Sequence, residues 1–137
     1  MTIVVPSAAE KTDLEFMLGA VTPGNQTLKL YVNNHTLADT SAETDLTEMS
    51  THGYAAKTLT KTSWAVSAGS TGNPATGTYA QQTWTFTAAA AVTVYGYYII
   101  DSTSGKLMWA EAFASPKVIQ NAGDQIIITP TVTLSRV

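Results

Sequence analysis

The chain has 137 residues, of which 45% are hydrophobic and only 12% are charged, with no cysteine and a formal net charge of -3. This length suits one domain with a single core, and the missing cysteines exclude disulfides, thiolate zinc sites and a cysteine nucleophile. Seven Lys and Arg residues, scattered singly, cannot form the basic stripe that nucleic-acid binding needs, and no apolar run is long enough to cross a membrane.

The first residues predict an extended arm followed by one helix. Residues 1–6 form the arm, and they lack the basic and long apolar regions of a signal peptide, so we expect no classical export. Ser7 and Glu10 have the spacing of a capping box, which marks the start of a helix. A helix over residues 8–18, ended by Gly19, is therefore predicted to bury the apolar residues at helical spacing, which are Leu14, Met17 and Leu18.

After residue 24 the hydrophobic period changes from that of a helix to that of a strand. The predicted strands are residues 28–32, 54–60, 64–67, 79–88, 92–100, 107–113 and 126–134. The glycine-rich stretch 69–77 predicts a surface loop, and Pro130 predicts an edge or a bulge in the last strand. We predict a mainly β, antiparallel β-sandwich of jelly-roll type, with about eight strands and one short N-terminal α-helix, as a single domain over residues 7–137.

Two of these strands carry most of the prediction. In 79–88, Trp84 and Phe86 alternate with threonines, so one face is buried and the other is polar. The segment 92–100 is apolar on both faces, which indicates a central strand covered on both sides or packed against another subunit. The chain contains 23 threonines, and their position on outer strand faces explains how a chain with so few charges covers itself with polar groups.

Few residue clusters indicate catalysis or metal binding. His35 and His52 lie near Asp39, Asp45 and Glu48 in the sequence, but their spacing matches no metal-binding motif. We therefore expect no metal, no cofactor and no enzyme site.

The carboxylate that stands out is Glu111, which lies between Trp109 and Phe113 on one apolar face. It is either a general acid in an apolar pocket or a carboxylate at the sheet rim, bonded to a Lys, Arg or Thr side chain. The second interpretation is favoured, because no second carboxylate accompanies Glu111. The six tyrosines and three tryptophans fit either a sugar-binding groove or packing in the core and at subunit interfaces, and packing is favoured.

The order of several motifs resembles small virion proteins of tailed bacteriophages, of the capsid decoration or cement type. The resemblance covers nearly the whole chain, and its motifs are LKLYVNN (28–34), GYAAKTL (53–59), QQTWTFT (81–87), VYGYY (94–98), LMWAEAF (107–113) and NAGDQ (121–125). It implies a homotrimeric jelly-roll subunit on the outside of a phage head, assembled in the host cytoplasm. There it stabilises contacts between major capsid proteins, and no catalytic residue is implied.

This resemblance also suggests contact residues. Tyr95 and Tyr97 are predicted to pack at the subunit interface of the trimer. The residues predicted to bind the capsid, as a strand added to a sheet edge, are Ile3, Val4 and Val5. The alternative for this arm is a strand paired within its own subunit. Two other functions stay open, namely a glycan-binding module of a phage tail or fibre and, less favoured, a sugar-acting enzyme that uses Glu111.

Overall fold

The structure, a computed structural model, describes residues 3–70, 73–87 and 90–134, which form ten strands and one α-helix. These elements are β1 (Ile3–Val4), α1 (Ser7–Met17), β2 (Gln26–Tyr31), β3 (Lys57–Leu59), β4 (Ala65–Ser67), β5 (Ala75–Thr78), β6 (Gln82–Thr85), β7 (Val92–Asp101), β8 (Leu107–Ile119), β9 (Gln125–Ile128) and β10 (Thr131–Leu134). In these ranges no helix has both the length and the apolar character needed to span a membrane.

Three antiparallel sheets build the fold. The largest has the strand order β1-β8-β7-β2-β3, the second has the order β10-β5-β4, and β6 pairs with β9. Leu28, Leu30 and Ile99 of the largest sheet share one core with Trp84 and Ile126 of the β6–β9 pair. The predicted mainly β, antiparallel sandwich with one N-terminal helix is confirmed.

Pro130 divides the last predicted strand into two. Residues 125–128 pair with β6, whereas residues 131–134 pair with β5 in a different sheet. Proline has no N–H to donate to a ladder, and Pro130 is buried at the corner where the chain changes sheets. This division, together with β1 and β5, gives ten strands in place of the seven predicted ranges.

Other strand boundaries also differ from the prediction. The predicted loop 69–77 is shorter, because β5 begins at Ala75 and forms a hairpin with β4. The predicted strand 79–88 keeps its buried Trp84 and Phe86, but only Gln82–Thr85 pair with a neighbouring strand. Its last predicted residue, Ala88, lies outside the described residues.

The central strand of the largest sheet is β7, and the chain itself covers both of its faces. Tyr97, 4% exposed, belongs to the main core, whereas Tyr98, 1% exposed, packs with Tyr31 and Leu46 on the other face. The predicted position of Tyr97 at a subunit interface is corrected, because its side chain is enclosed within its own subunit. Tyr95 is half-buried against the second cluster, and its interface role stays a prediction.

The helix has the predicted location but presents a different face to the core. Ala9 and Thr12 are buried, and Phe16 packs against the core from the same side. The apolar stripe that was predicted to be buried is exposed, with 54% for Leu14, 83% for Met17 and 74% for Leu18. Positions 9, 12 and 16 share one side of the helix, and Leu14, Met17 and Leu18 lie on the other side and face outward. Helical spacing predicted the stripe but not its direction.

The start of the helix also differs from the capping-box prediction. Pro6 is the N-cap residue, and no side chain caps the helix. The Pro6 carbonyl accepts from the N–H groups of Ala9 (2.8 Å) and Glu10 (3.3 Å). The Ser7 N–H donates instead to the Asp39 carbonyl, 3.0 Å away, which ties the helix to the following loop. Gly19 has the predicted left-handed conformation, with φ 70°.

The replacement Ser7→Ala tests this correction. A capping serine contributes about 1 kcal/mol to stability. Because Ser7 is exposed and its hydroxyl makes only a long contact of 3.4 Å with Asp39 O, we expect Ser7→Ala to lower the free energy of unfolding by less than about 0.5 kcal/mol. Urea denaturation measures this change, and a loss of about 1 kcal/mol or more would restore the capping box.

The predicted N-terminal arm is part of the sheet. Ile3 pairs with Glu111 and Val4 pairs with Ala110, so β1 is the edge strand beside β8. This is the alternative in which the arm pairs within its own subunit, and it corrects the boundary that separated residues 1–6 from the domain. Met1 and Thr2 lie outside the described residues. Val5 is 39% exposed, and contact of residues 3–5 with another virion protein stays a prediction.

Candidate functional site

Both histidines form hydrogen bonds within the chain. His35 Nε2 lies 3.1 Å from Ser41 Oγ. The buried His52 has both ring nitrogens occupied, by Thr51 Oγ1 at 2.6 Å and by the Ala90 carbonyl at 2.8 Å. Among residues 3–70, 73–87 and 90–134, no group of three or more ligand side chains could hold a metal ion. In the part of the chain that the structure describes, neither histidine hydrogen-bonds to Asp39, Asp45 or Glu48.

The aromatic residues build the core instead of an open groove. Tyr31, Tyr97, Tyr98, Trp84 and Trp109 are buried, each at most 8% exposed. The half-buried aromatics are Tyr54, Tyr79, Tyr95 and Trp64. Packing is thus the main role of the tyrosines and tryptophans, as the sequence favoured.

Glu111 is positioned by the register of three neighbouring strands. Ile3 of β1 and Tyr97 of β7 are the residues directly opposite Glu111 of β8. Opposed residues in antiparallel strands have side chains on the same face, so Tyr97 and Glu111 meet. The Tyr97 hydroxyl donates a hydrogen bond to Glu111 Oε2, and Glu111 is only 7% exposed. The predicted rim carboxylate with a Lys, Arg or Thr partner is corrected, because the partner is a buried tyrosine.

The electrostatics of this pair leave one acceptor open. Burial raises the pKa of Tyr97, and the hydrogen bond to Glu111 and its negative charge raise it further, so the hydroxyl keeps its proton and remains the donor. In the described part of the chain, no cation forms an ion pair with Glu111, and Oε1 accepts no hydrogen bond. Among the described residues, the buried side-chain atoms without a hydrogen-bond partner are Tyr31 Oη and Trp109 Nε1. Glu111 Oε1 is not one of them, so it borders open space and can accept a donor from a ligand.

Glu111 and Tyr97 line a cavity of about 330 Å³ between β7, β8 and β9, named here the Glu111 cavity. The other lining residues that matter for its chemistry are Phe113, Lys117, Gln125, Ile126, Ile128 and Thr129. Phe113 lies beside Tyr97, with 6.5 Å between the ring centroids. The cavity therefore combines an aromatic and aliphatic wall with one carboxylate and one ammonium group.

A larger cavity of about 520 Å³ lies between the start of α1, the loop 39–44 and Gly105–Leu107. Two of its polar side chains have partners within the chain. Ser41 Oγ contacts Ala38 N at 3.0 Å, and Glu43 forms an ion pair with Lys29 at 2.9 Å. The Glu111 cavity is smaller, but its carboxylate is buried, whereas Asp39 and Glu43 of the larger cavity are exposed and half-buried.

The surface also carries an apolar cluster at the end of α1. Leu14, Met17 and Leu18 lie within one helical turn and a half, and all three are more than half exposed. Large apolar side chains grouped in this way on a surface are typical of contact sites with other proteins. We name these three residues the helix-end patch.

A family model described as podophage GP4 fiber I protein gp80 matches residues 7–135, nearly the whole chain. The chain belongs to this family. It is therefore a structural protein of a bacteriophage virion, as the resemblance implied in its broader form. The family is named for a fibre, whereas the resemblance had pointed to capsid decoration. No curated protein matches the sequence.

Sequence reasoning singled out Glu111 but missed its surroundings. Tyr97 was assigned to a subunit interface, and Lys117 and the β9 residues were given no role in a site. The alternation of apolar residues around Glu111 was the available signal. The partners come from other strands, and their register with β8 is set by the folded sheet.

Proposed function

We propose that this protein is a non-enzymatic structural subunit of a phage fibre that assembles as a homotrimer. The match of residues 7–135 to a fibre protein family is the observation that carries the proposal. The composition supports it as well. With 12% charged residues and a net charge of -3, copies of the chain repel each other little when they pack closely.

The absence of enzymatic activity is part of the proposal. The lining of the Glu111 cavity in the described residues includes one carboxylate. Glycoside hydrolysis commonly needs two carboxyl groups, about 5 to 9 Å apart, as acid and as nucleophile or base. The Glu111 cavity is therefore suited to binding and not to this type of hydrolysis.

Labelling of intact virions tests where the protein is located. Gold-labelled antibodies against this chain, viewed by electron microscopy, are expected to decorate the fibres. The competing arrangement is the capsid surface, with the major capsid protein as partner. Labelling spread evenly over the head would overturn the fibre proposal and support capsid decoration.

The helix-end patch is the proposed contact between copies, and the replacement Met17→Lys tests it. Met17 is 83% exposed, so a lysine does not disturb the fold, but it places a charge in the contact. We expect a sedimentation mass of three chains of 14.5 kDa for the parent and of one chain for Met17→Lys. Val66→Lys, at an apolar residue of β4 that is 76% exposed, is the matched control and should stay trimeric. A monomeric parent, or a variant that remains trimeric, would contradict the proposal.

A second candidate function is glycan binding by a fibre-associated module. The specific observation in its favour is the Glu111 cavity. The tyrosines and tryptophans do not form an exposed groove, so the cavity is where a glycan would bind. The site and its ligand class are argued next.

A further inference from the structure

The Glu111 cavity holds a hydrogen-bond acceptor that the chain does not use. Glu111 is 7% exposed, and Tyr97 occupies Oε2. No donor of the described residues reaches Oε1, although the carboxylate borders an open space of about 330 Å³. A ligand that brings a hydroxyl or an N–H group to Oε1 would form a charge-assisted hydrogen bond, which is among the stronger polar contacts.

The charges around the cavity favour a neutral ligand. Glu111 contributes one negative charge, and Lys117 at the rim contributes one positive charge without forming an ion pair with Glu111. These opposite charges give the lining no net formal charge, so the cavity offers a charged ligand no overall attraction to offset the loss of its hydration. A neutral molecule with several hydroxyl groups can donate to Glu111 and accept from Lys117.

Most of the wall of the Glu111 cavity is apolar. Phe113 is half-buried beside Tyr97, and Ile126 and Ile128 line the cavity from β9. Small-molecule sites have mostly apolar walls with a few placed polar groups, and their volumes range from about 300 to 1,000 Å³. This cavity is at the small end of that range. A pyranose ring, with an apolar C–H face and a hydroxyl-bearing edge, combines the two properties that the lining requires.

We propose that the Glu111 cavity binds one neutral sugar unit, with Glu111 accepting from sugar hydroxyls, Lys117 donating to a sugar oxygen and Phe113 contacting the C–H face. This inference rests on the second proposed function, glycan binding, and does not depend on assembly into a fibre. The site binds its ligand without cleaving it.

Titration of the full-length protein with single sugars, followed by NMR, tests the proposal. The probes are D-glucose, D-galactose, L-rhamnose and N-acetyl-D-glucosamine, with cationic D-glucosamine and anionic D-glucuronate as charged counterparts. We expect at least one neutral sugar to shift the signals of Phe113, Ile126 and Ile128 with a Kd on the order of 1 mM, as suits so few atoms. The charged counterparts should bind more weakly.

Two variants and a control assign the binding to the cavity. Glu111→Gln keeps an acceptor for Tyr97 but removes the charge, and we expect it to weaken sugar binding at least about tenfold. Lys117 is exposed, so we expect Lys117→Gln to leave the fold intact. This replacement should weaken sugar binding roughly threefold to tenfold. Glu10→Gln, which removes an exposed carboxylate on α1, should leave binding unchanged.

Three results would overturn the proposal. These are the absence of cavity shifts with every neutral sugar, a Kd that neither cavity variant changes, and tighter binding of a charged counterpart than of a neutral sugar. None of these results bears on the fibre proposal, which the sedimentation mass and the virion labelling test separately.

Discussion

Replacing Gly96 by alanine is expected to destabilise the protein by about 3 kcal/mol or more, near the upper end of the range for overpacked sites. Gly96 lies in the middle of β7, opposite Ala112 of β8 and Tyr31 of β2. A Cβ atom at this position would overlap the backbone carbonyl oxygen of Glu111 and lie 2.6 Å from the Tyr31 hydroxyl oxygen. Neither group can move away easily.

The reason lies in what surrounds each clashing group. The Glu111 carbonyl belongs to the backbone of β8, so moving it separates the two longest strands. Tyr31 is fully buried, and its ring packs 6.4 Å from that of Tyr98. Because buried cores are densely packed, a shift of either group must be passed on to its neighbours.

Gly105→Ala is the matched control for Gly96→Ala. Gly105 has a positive φ of 64°, but no atom lies within 4 Å of an added Cβ. We therefore expect Gly105→Ala to lower the free energy of unfolding only through backbone strain, by about 1 kcal/mol. Urea unfolding of the two variants gives the comparison, and equal losses would show that the contact with Glu111 and Tyr31 is not the cause.

The sequence predicted the central sheet well, because period-2 alternation directly encodes which face of a strand is buried. Trp84, Phe86 and the apolar segment 92–100 all have the predicted burial. The same signal singled out Glu111. It could not identify Tyr97 as the partner, because the pairing of residues 97 and 111 depends on the register between two strands.

The helix shows a different limit of sequence reasoning. The positions of Leu14, Met17 and Leu18 gave the correct helical period. The period alone does not determine whether such a stripe packs against the core of the same chain or against another protein. The inner face of α1 is formed by Ala9, Thr12 and Phe16, of which only Phe16 gives a strong hydrophobic signal. An apolar stripe that the fold leaves exposed supports the proposal that α1 contacts another copy of the chain.

Replacing Asp101 by alanine is expected to cost about 3 kcal/mol, and to lower the Tm by roughly 10 °C for a domain of this size. Asp101 ends β7 and has no exposed surface. Its Oδ1 accepts from Gly24 N at 2.9 Å, and its Oδ2 accepts from Thr103 N at 3.0 Å and Ser104 N at 2.7 Å. One side chain thus holds the turn after β7 and the chain segment before β2.

Alanine removes all three acceptor contacts and leaves a small void, so the backbone N–H groups lose partners in a part-buried site. Asp101→Asn keeps one acceptor oxygen and should lose less stability than Asp101→Ala. Asp124→Ala is the matched control, because Asp124 also accepts two backbone N–H groups, from Gln120 and Asn121, in a turn that water can reach. We expect a smaller loss there, since water replaces the carboxylate. Thermal unfolding decides the point, and an Asp101→Ala variant as stable as Asp124→Ala would refute the assigned role of Asp101.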